Sequence, residues 1–167
     1  NIVDIVQFCE RHRLVLMADE VYQRNIYDGT KFVSFKKVVH AIQSPVELAS
    51  FHSVSKGITG ECGLRGGYVE LHNFDEHAVS VLYKMVSVSL CANIPGHIAV
   101  DLMMRPPVPG DPSYDLYQRE SEGIFESLRR KGLKLAEALN TFDGVHCNPP
   151  QGALYLFPQI TMPPGAH

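Results

Sequence analysis

The spacing of apolar residues predicts alternating helices and strands in the first hundred residues of the chain. Apolar positions recur at helical spacing from Ile2 to Cys9, so residues 2–12 are predicted to form an amphipathic helix that packs against a core. The run LVLMADE, residues 14–20, is apolar until two acids end it, which is typical of a parallel strand buried on both faces. The same patterns predict helices over 34–42, 75–91 and 95–104, and strands over 46–51 and 66–71. Helices that alternate with strands in this order indicate an α/β layer.

A proline-rich segment, RPPVPGDP, interrupts this alternation, because each proline removes a backbone donor and fixes its own dihedral angle. Beyond it, apolar residues keep a helical period from Pro112 to Phe142, which predicts one helix about 45 Å long at about 1.5 Å per residue. A helix of that length is typical of a connection between two parts of a protein. The segment GVHCNPPQG is then predicted to be a loop, and ALYLF, residues 153–157, a last strand.

Composition and charge exclude several classes of function. The net charge of the 167 residues is −3 and no basic run of five or six residues is present, so we expect no nucleic-acid partner. No apolar run approaches the roughly eighteen residues that span a bilayer, and the first residues do not resemble a signal peptide, so we expect no membrane partner. The cysteines and histidines lack the spacing of metal ligands or of a disulfide scaffold. We therefore expect no metal, free thiols and a cytoplasmic location, with the mitochondrion as the alternative.

Polar residues suited to chemistry follow two of the predicted strands. Asp19 and Tyr22 lie at the end of the first, and HSVSKGITGECGLRGGY, residues 52–68, follows the second. In an α/β layer, ligands bind beyond the carboxyl ends of the strands. Lys56 is a candidate nucleophile toward a carbonyl if it is desolvated or lies near another cation, and Arg65 is a candidate for that cation. A phosphate can be bound by serine hydroxyls, by the planar guanidinium of arginine and by glycine backbone, which can approach a ligand closely. Together with the lysine, these residues fit a phosphorylated aldehyde.

Pyridoxal 5'-phosphate is such an aldehyde, and its ring nitrogen must stay protonated for the ring to accept electrons. At an effective dielectric near 20, opposite charges about 4 Å apart interact by about 4 kcal/mol, and one pKa unit corresponds to about 1.4 kcal/mol. A carboxylate at the ring nitrogen can therefore raise its pKa by up to about three units. Asp19 is the candidate for that carboxylate, and Tyr22 is the candidate donor to the phenolic oxygen of the ring.

Taken together, DEVYQRNIY (19–27) and SVSKGITGECGLRGGY (53–68) resemble the core of the fold-type-I pyridoxal-phosphate aminotransferases. The pattern of that family has a serine three residues before the lysine and an arginine eight or nine residues after it. Ser53 and Arg65 take these places around Lys56. The longer spacing and the letters GECG are similar to the alanine aminotransferase branch of the family. The resemblance continues through VELASFHS, the proline-rich break and NPPQGALYLFP, so it covers nearly the whole chain.

The cofactor-binding residues that the resemblance implies are Asp19, Tyr22, Ser53, Ser55, Lys56 and Arg65. Among them, the lysine forms the internal Schiff base and later shuttles the proton, the aspartate holds the ring nitrogen, and the tyrosine meets the ring oxygen. Ser53 and Arg65 hold the phosphate, while Ser55 either joins them or orients the turn. The implied reaction is the reversible transfer of an amino group from L-alanine to 2-oxoglutarate, giving pyruvate and L-glutamate. The resemblance also implies that the complete protein is a homodimer with small-molecule substrates.

The resemblance implies a division into three segments. Residues 1–108 are expected to form the second half of the cofactor-binding large domain, with a mostly parallel sheet flanked by helices. Residues 109–142 hold the proline-rich break and a long interdomain helix, and 143–167 begin the small α+β domain. An earlier asparagine, an aromatic residue that stacks on the ring, a phosphate-binding helix start and a late arginine have no match in the chain. We therefore expect a fragment that does not catalyse transamination alone.

Two alternatives stay open. One is another aminotransferase, or a lyase, of the same fold. The other is a non-catalytic relative that acts as an interaction module, although a fold kept only for binding has no need of a reactive amine such as Lys56. We expect Glu20, His52 and Cys62 to be packing or pairing residues. Tyr155 either approaches the active site from the small domain or lies in a strand with its ring in the core, and we expect the second.

Overall fold

A computed structural model describes residues 1–162 and 164–165, and the chain forms two compact units. The first unit comprises Asn1–Val21 and Phe32–Pro106. The second comprises Tyr22–Lys31 and, as far as the structure describes it, Pro107–His167. The segment that follows the first strand therefore belongs to a different unit from the strand itself.

The first unit alternates helices with strands, as the apolar pattern predicts. Its elements are α1 (Ile2–His12), β1 (Leu16–Asp19), α2 (Phe35–Ala41), β2 (Leu48–Ser53), a 3₁₀ turn (Cys62–Leu64), β3 (Gly67–His72), α3 (Glu76–Val86) and α4 (Ile94–Met104). Side chains cap two of these helices: Ser34 accepts a hydrogen bond from the Lys37 amide at 3.1 Å, and Asp75 accepts one from the His77 amide at 2.9 Å. Such caps satisfy amide groups that have no partner within the helix. The helix predicted over 75–91 ends earlier than expected, at Val86.

The three strands of this unit form a sheet in the order β1–β2–β3. The β1–β2 pair is parallel and the β2–β3 pair is antiparallel. On one face, β1, β2, α1 and α2 enclose a core of Val6, Cys9, Leu16, Ala18, Val39, Val46 and Leu48. Along β1 buried and exposed residues alternate, and Met17 is 69% exposed. The prediction that this strand is buried on both faces is therefore wrong for the described chain.

The second unit contains one long helix and a short pair of strands. They are α5 (Tyr114–Leu139), β4 (Val145–His146) and β5 (Gln159–Ile160), with β4 and β5 antiparallel. The predicted long helix is confirmed but is shorter, with 26 residues. None of the helices in the described part of the chain has both the length and the apolar character needed to cross a bilayer.

The prediction of a strand over ALYLF is wrong, and β4 lies where only a loop was predicted. Ala153, the first residue of ALYLF, has a φ of 57°, in the left-handed region. That conformation is incompatible with an extended strand. Only an isolated antiparallel bridge forms in this region, between Ile26 and Gly152.

The division into three segments stays a prediction. The helix α5, expected to connect domains, lies in the second unit, and the boundary between the units falls between Pro106 and Pro107, inside the proline-rich break. Pro163, Ala166 and His167, which belong to the predicted segment 143–167, lie outside the described residues.

Candidate active site

The carboxyl ends of β1 and β2 lie at the same edge of the sheet in the first unit. Asp19, the last residue of β1, is opposite Phe51 in the parallel register, and β2 continues from there to Ser53. Parallel strands end at a common edge, so the structure brings Asp19 and the segment after Ser53 together there. Asp19 and Lys56 are both exposed, so this edge is open to a small molecule.

Ser53 organises the segment after β2, which we call the lysine loop (residues 53–66). Its hydroxyl donates to the Gly66 carbonyl at 3.1 Å and accepts from the Ser55 amide at 3.0 Å. The amide of Val54, a fully buried residue, donates to the same Gly66 carbonyl at 3.1 Å. A hydroxyl has one proton to donate. In this arrangement the hydroxyl proton of Ser53 is therefore used in a hydrogen bond within the lysine loop.

The backbone of the lysine loop turns sharply around the predicted nucleophile. The Lys56 carbonyl accepts a hydrogen bond from the Gly60 amide at 3.3 Å. Gly57 and Gly60 have φ values of 67° and 62°, which only glycine adopts at little cost. Two residues before the lysine, Val54 is buried and holds the loop to the unit, while the lysine itself is exposed. The amine is therefore presented on an anchored turn.

Arg65 reaches back across the loop to Ser55. Its Nη1 donates to the Ser55 hydroxyl at 2.9 Å and to the Cys62 carbonyl at 3.0 Å. Within residues 1–162, no hydrogen bond uses its Nη2, so one edge of the guanidinium remains for an anion. Arg65 itself has a φ of 51°, an uncommon conformation for a residue with a side chain. The structure thus pairs Arg65 with Ser55, the serine whose role the resemblance left undecided.

The backbone of Arg65 is held by the start of α4. The Asn93 side chain donates to the carbonyls of Leu64 and Arg65, the second at 3.3 Å. A Cβ added at Gly96 would lie 2.6 Å from the Arg65 carbonyl oxygen and 2.6 Å from that of Leu64. Glycine is therefore required at this helix start, because a side chain would push the arginine segment away.

We expect Gly96→Ala to destabilise the complete protein by about 1–3 kcal/mol, since overpacking against backbone cannot be relieved by a rotamer change. It should also weaken binding of a phosphate ligand, because Arg65 would move. Chemical denaturation of the purified variant measures the first effect. The matched control is Gly123→Ala in α5, where an added Cβ meets nothing within 4 Å and should stabilise the helix by up to about 1 kcal/mol. Equal stability of the two variants would contradict the packing argument.

His52, Tyr68 and Glu20 lie beside the site and have structural contacts. His52 stacks on Tyr68 with ring centroids 5.8 Å apart, and its Nδ1 accepts from the Ser53 amide at 2.8 Å. Glu20 accepts from the Phe35 amide at 2.8 Å and so caps α2, rather than pairing with a basic group. Burial raises the pKa of Tyr68, and the negative charges of Glu70 and Glu20 raise it further. Cys62 is exposed, so the expectation that it is a packing residue is wrong.

The remaining predicted site residue, Tyr22, lies in the second unit. Its hydroxyl is 3.0 Å from the Tyr155 hydroxyl, and the two rings meet edge to face with centroids 5.6 Å apart. Tyr155 is 65% exposed and lies in no strand, so the prediction of a core tyrosine on a strand is wrong. In the same unit, the Tyr27 hydroxyl donates to the Ala153 carbonyl at 2.7 Å.

The residues of the lysine loop fit a phosphorylated aldehyde. They include the exposed residue Lys56, a guanidinium edge on Arg65 and the hydroxyl of Ser55. A Cβ added at Gly60 or Gly63 would meet nothing within 4 Å, so the loop leaves open space on that side. Donors of this kind bind phosphate oxygens, and a lysine amine can bond to an aldehyde carbon.

Sequence reasoning missed the supporting residues Asn93 and Gly96. Their signal is the stretch NIPGH, in which an asparagine precedes a proline at the start of a helix. Such a stretch identifies a helix start, but only the structure reveals which backbone packs against it.

The family model described as aminotransferase class I and II matches residues 1–163. A probable mitochondrial alanine aminotransferase of Dictyostelium discoideum is 49% identical over 168 residues, which cover 98% of this chain and 32% of that protein. Glutamate–glyoxylate aminotransferase 1 of Arabidopsis thaliana is 49% identical over 171 residues, covering 99% of this chain and 36% of that protein. The chain therefore spans about a third of the length of these curated relatives.

Solved structures have the same fold. An alanine aminotransferase from Pyrococcus furiosus matches with a TM-score of 0.79 and 20% identity, covering 98% of this chain and 38% of that one. An alpha-aminoadipate aminotransferase from Thermus thermophilus, in complex with N-(5'-phosphopyridoxyl)-L-leucine, matches with a TM-score of 0.71 and 16% identity, covering 98% of this chain and 39% of that one.

Proposed function

The chain belongs to the aminotransferase class I and II family, and from that membership we propose that the complete protein transfers the amino group of L-alanine to 2-oxoglutarate. The products are pyruvate and L-glutamate, and the cofactor is pyridoxal 5'-phosphate. The observation that carries the proposal is the exposed Lys56, on a loop that also holds the Arg65–Ser55 pair, at the sheet edge where Asp19 ends β1. Relatives named alanine aminotransferase, 49% and 51% identical to this chain, support the choice of alanine.

The residues present would hold the cofactor as follows. Lys56 Nζ would bond to the aldehyde carbon of the cofactor. It would later hold and return the proton of the substrate. The Asp19 carboxylate would accept a hydrogen bond from the protonated ring nitrogen, and the Tyr22 hydroxyl would donate to the phenolic oxygen. Arg65, through Nη2, and the Ser55 hydroxyl would hold the phosphate, and the Ser53 hydroxyl would join them by turning its proton from the Gly66 carbonyl to a phosphate oxygen. When bound, the cofactor supplies a ring that accepts the electrons released at the substrate.

A second candidate function is supported by two relatives from Arabidopsis thaliana named glutamate–glyoxylate aminotransferase, each 49% identical to this chain. It differs from the first in the amino donor and the acceptor acid. It uses the same cofactor-binding residues, so the lysine loop does not distinguish the two candidates.

The test is an assay of the complete protein with alanine, glutamate, aspartate and aromatic amino acids as donors, each with 2-oxoglutarate and with glyoxylate. We expect the highest kcat/KM for alanine with 2-oxoglutarate. A preference for glutamate with glyoxylate would replace the first candidate by the second. Absence of amino transfer from every donor would refute both and favour a lyase or a non-catalytic relative. The 167-residue chain alone is expected to be inactive, and any turnover by it would contradict that expectation.

The complete protein is proposed to be a homodimer. In the first unit, α3, α4 and the segment between them expose large apolar side chains, among them Tyr83 (70% exposed), Val88 (81%), Leu90 (88%) and Leu102 (63%). Exposed apolar surface of this kind marks a contact with another protein surface. We expect sedimentation to give twice the monomer mass and Leu90→Glu to weaken the dimer. A monomeric complete protein would contradict the proposal and would favour burial of these residues by the rest of the same chain.

The proposed location is the cytoplasm, with the mitochondrion as the alternative. Cys9, Cys62, Cys91 and Cys147 are free thiols, which suit a reducing compartment. Several relatives are named as mitochondrial, which supports the alternative. Fractionation of source cells, with the protein detected by antibody, decides between the two.

A further inference from the structure

The backbone amide of Ser53 lies just beyond the pairing of β1 with β2. Amides along a strand point alternately to its two neighbours, and the next amide, that of Val54, donates to the Gly66 carbonyl on the β3 side at 3.1 Å. The Ser53 amide therefore points to the β1 side. The register of β1 with β2 ends where Asp19 is opposite Phe51, so the acceptor of the Ser53 amide has to come from outside the sheet.

The imidazole of His52 supplies that acceptor. Its Nδ1 lies 2.8 Å from the Ser53 amide nitrogen and 3.3 Å from the Ser53 carbonyl oxygen. A proton on Nδ1 would place two N–H groups against each other across the shorter distance. Nδ1 therefore accepts from the amide, and the ring carries its proton on Nε2. The ring also stacks on Tyr68 with the two planes 25° apart, which restrains its orientation.

From Ser53 a series of hydrogen bonds leads to the guanidinium of Arg65. The Ser53 hydroxyl accepts from the Ser55 amide at 3.0 Å, and the Ser55 hydroxyl accepts from Arg65 Nη1 at 2.9 Å. Gly67 lies opposite Ser53 in β3, and a Cβ added there would lie 2.7 Å from the His52 carbonyl oxygen. The backbone at the start of the series is therefore closely packed, and its position determines where Ser55 and Arg65 lie.

We propose that His52 is a positioning residue whose Nδ1 holds the Ser53 amide and so places Ser55 and Arg65 for the phosphate of pyridoxal phosphate. The inference rests on the proposed function, because the phosphate is that of the proposed cofactor. His52 acts through Ser53, and all the residues of the series lie in the first unit.

The phosphate gives this role a specific readout. Pyridoxal has the ring and the aldehyde of pyridoxal phosphate but no phosphate group. It can still bond to a lysine amine, but it has nothing to offer the Ser55–Arg65 pair. Loss of the His52 acceptor should therefore weaken the binding of pyridoxal phosphate and leave the binding of pyridoxal unchanged. A merely structural role would weaken both.

The experiment measures the dissociation constants of both ligands for the complete protein, freed of cofactor, from the absorption that each ligand develops on binding. His52→Phe keeps an aromatic ring against Tyr68 and removes the acceptor. We expect its dissociation constant for pyridoxal phosphate to rise by about threefold to tenfold, the usual effect of one hydrogen bond. His52→Asn loses the ring but places an amide oxygen where Nδ1 was, so its affinity should stay within about twofold of the wild type.

Two further variants complete the comparison. His52→Gln places its amide one bond farther from the backbone, at the position of Nε2, and should bind pyridoxal phosphate as weakly as His52→Phe. The comparison of glutamine with asparagine tests the inference even if the phenylalanine variant does not fold. The matched control is His40→Phe, because this exposed histidine of α2 also stacks on another ring, that of His72. It should leave both dissociation constants unchanged.

Unchanged affinity of His52→Phe for pyridoxal phosphate would overturn the inference. Equal losses of affinity for pyridoxal phosphate and pyridoxal would overturn it too, and so would an asparagine variant that binds as weakly as the glutamine variant. If the wild type binds neither ligand, the proposed function fails and takes this inference with it. The two failures are thus distinguished by whether the wild-type protein binds pyridoxal phosphate.

Discussion

Replacing Lys56 with alanine in the complete protein should lower kcat/KM for amino transfer by at least about 1,000-fold, since it removes the proposed covalent attachment and the proposed proton carrier. A positioned proton carrier alone raises the rate of a reaction by about 100-fold to 10,000-fold. The side chain is exposed, so we expect the melting temperature to change little. Steady-state kinetics with alanine and 2-oxoglutarate, together with a thermal melt, measure both effects.

Two variants control this prediction. Lys56→Arg keeps the positive charge but has no nucleophilic amine, so it should be as inactive as the alanine variant. Lys131→Ala removes an exposed lysine of α5 and should keep wild-type activity. Activity of Lys56→Ala above a tenth of the wild-type value would mean that another residue carries the chemistry.

The second large effect is expected from Asp19→Asn, which keeps the shape of the side chain and removes its charge. The carboxylate is proposed to pair with the ring nitrogen of the cofactor, where the attraction between the two charges is about 4 kcal/mol, so the rate should fall by up to about 1,000-fold. Because Asp19 is exposed at the sheet edge, the fold should be unaffected. The rate of a single turnover measures the chemical step, and the cofactor absorbance measures occupancy separately.

The control for the charge is Asp143→Asn, an exposed aspartate of the second unit, which should leave the rate unchanged. A normal rate in Asp19→Asn with full cofactor occupancy would show that the carboxylate is not the partner of the ring nitrogen. A low rate caused only by loss of the cofactor would limit its role to binding.

The α/β fold and its fold-type-I family are confirmed, and they follow from local patterns in the sequence. The helix α1 runs over Ile2–His12 as its apolar period predicts, and it ends where Arg13 takes a φ of 52° and so leaves the helical conformation. Asp19 and Ser53 were predicted at the ends of two strands, and the parallel register of β1 and β2 gives the physical reason why they lie at one edge. Periodicity is a local property, so one sequence is enough to detect it.

The parts that could not be predicted depend on contacts between distant segments or on unusual backbone angles. The strand prediction for ALYLF failed because Ala153 takes a left-handed conformation that its side chain does not favour. The Arg65–Ser55 pair likewise involves a positive φ at Arg65. The sequence does not indicate this angle, because the residue is an arginine and not a glycine. The contact between Tyr22 and Tyr155 joins positions 133 residues apart, and no spacing rule covers that distance.

Lys56 is proposed to be the amine that carries pyridoxal phosphate. Reduction of the complete, cofactor-loaded protein with borohydride makes the bond between amine and cofactor permanent, and mass spectrometry of the peptides then locates it. We expect one phosphopyridoxyl group, on Lys56, in the peptide that contains SVSKGITGECGLR. A phosphopyridoxyl group on any other lysine, or none on a protein that transfers amino groups, would contradict it.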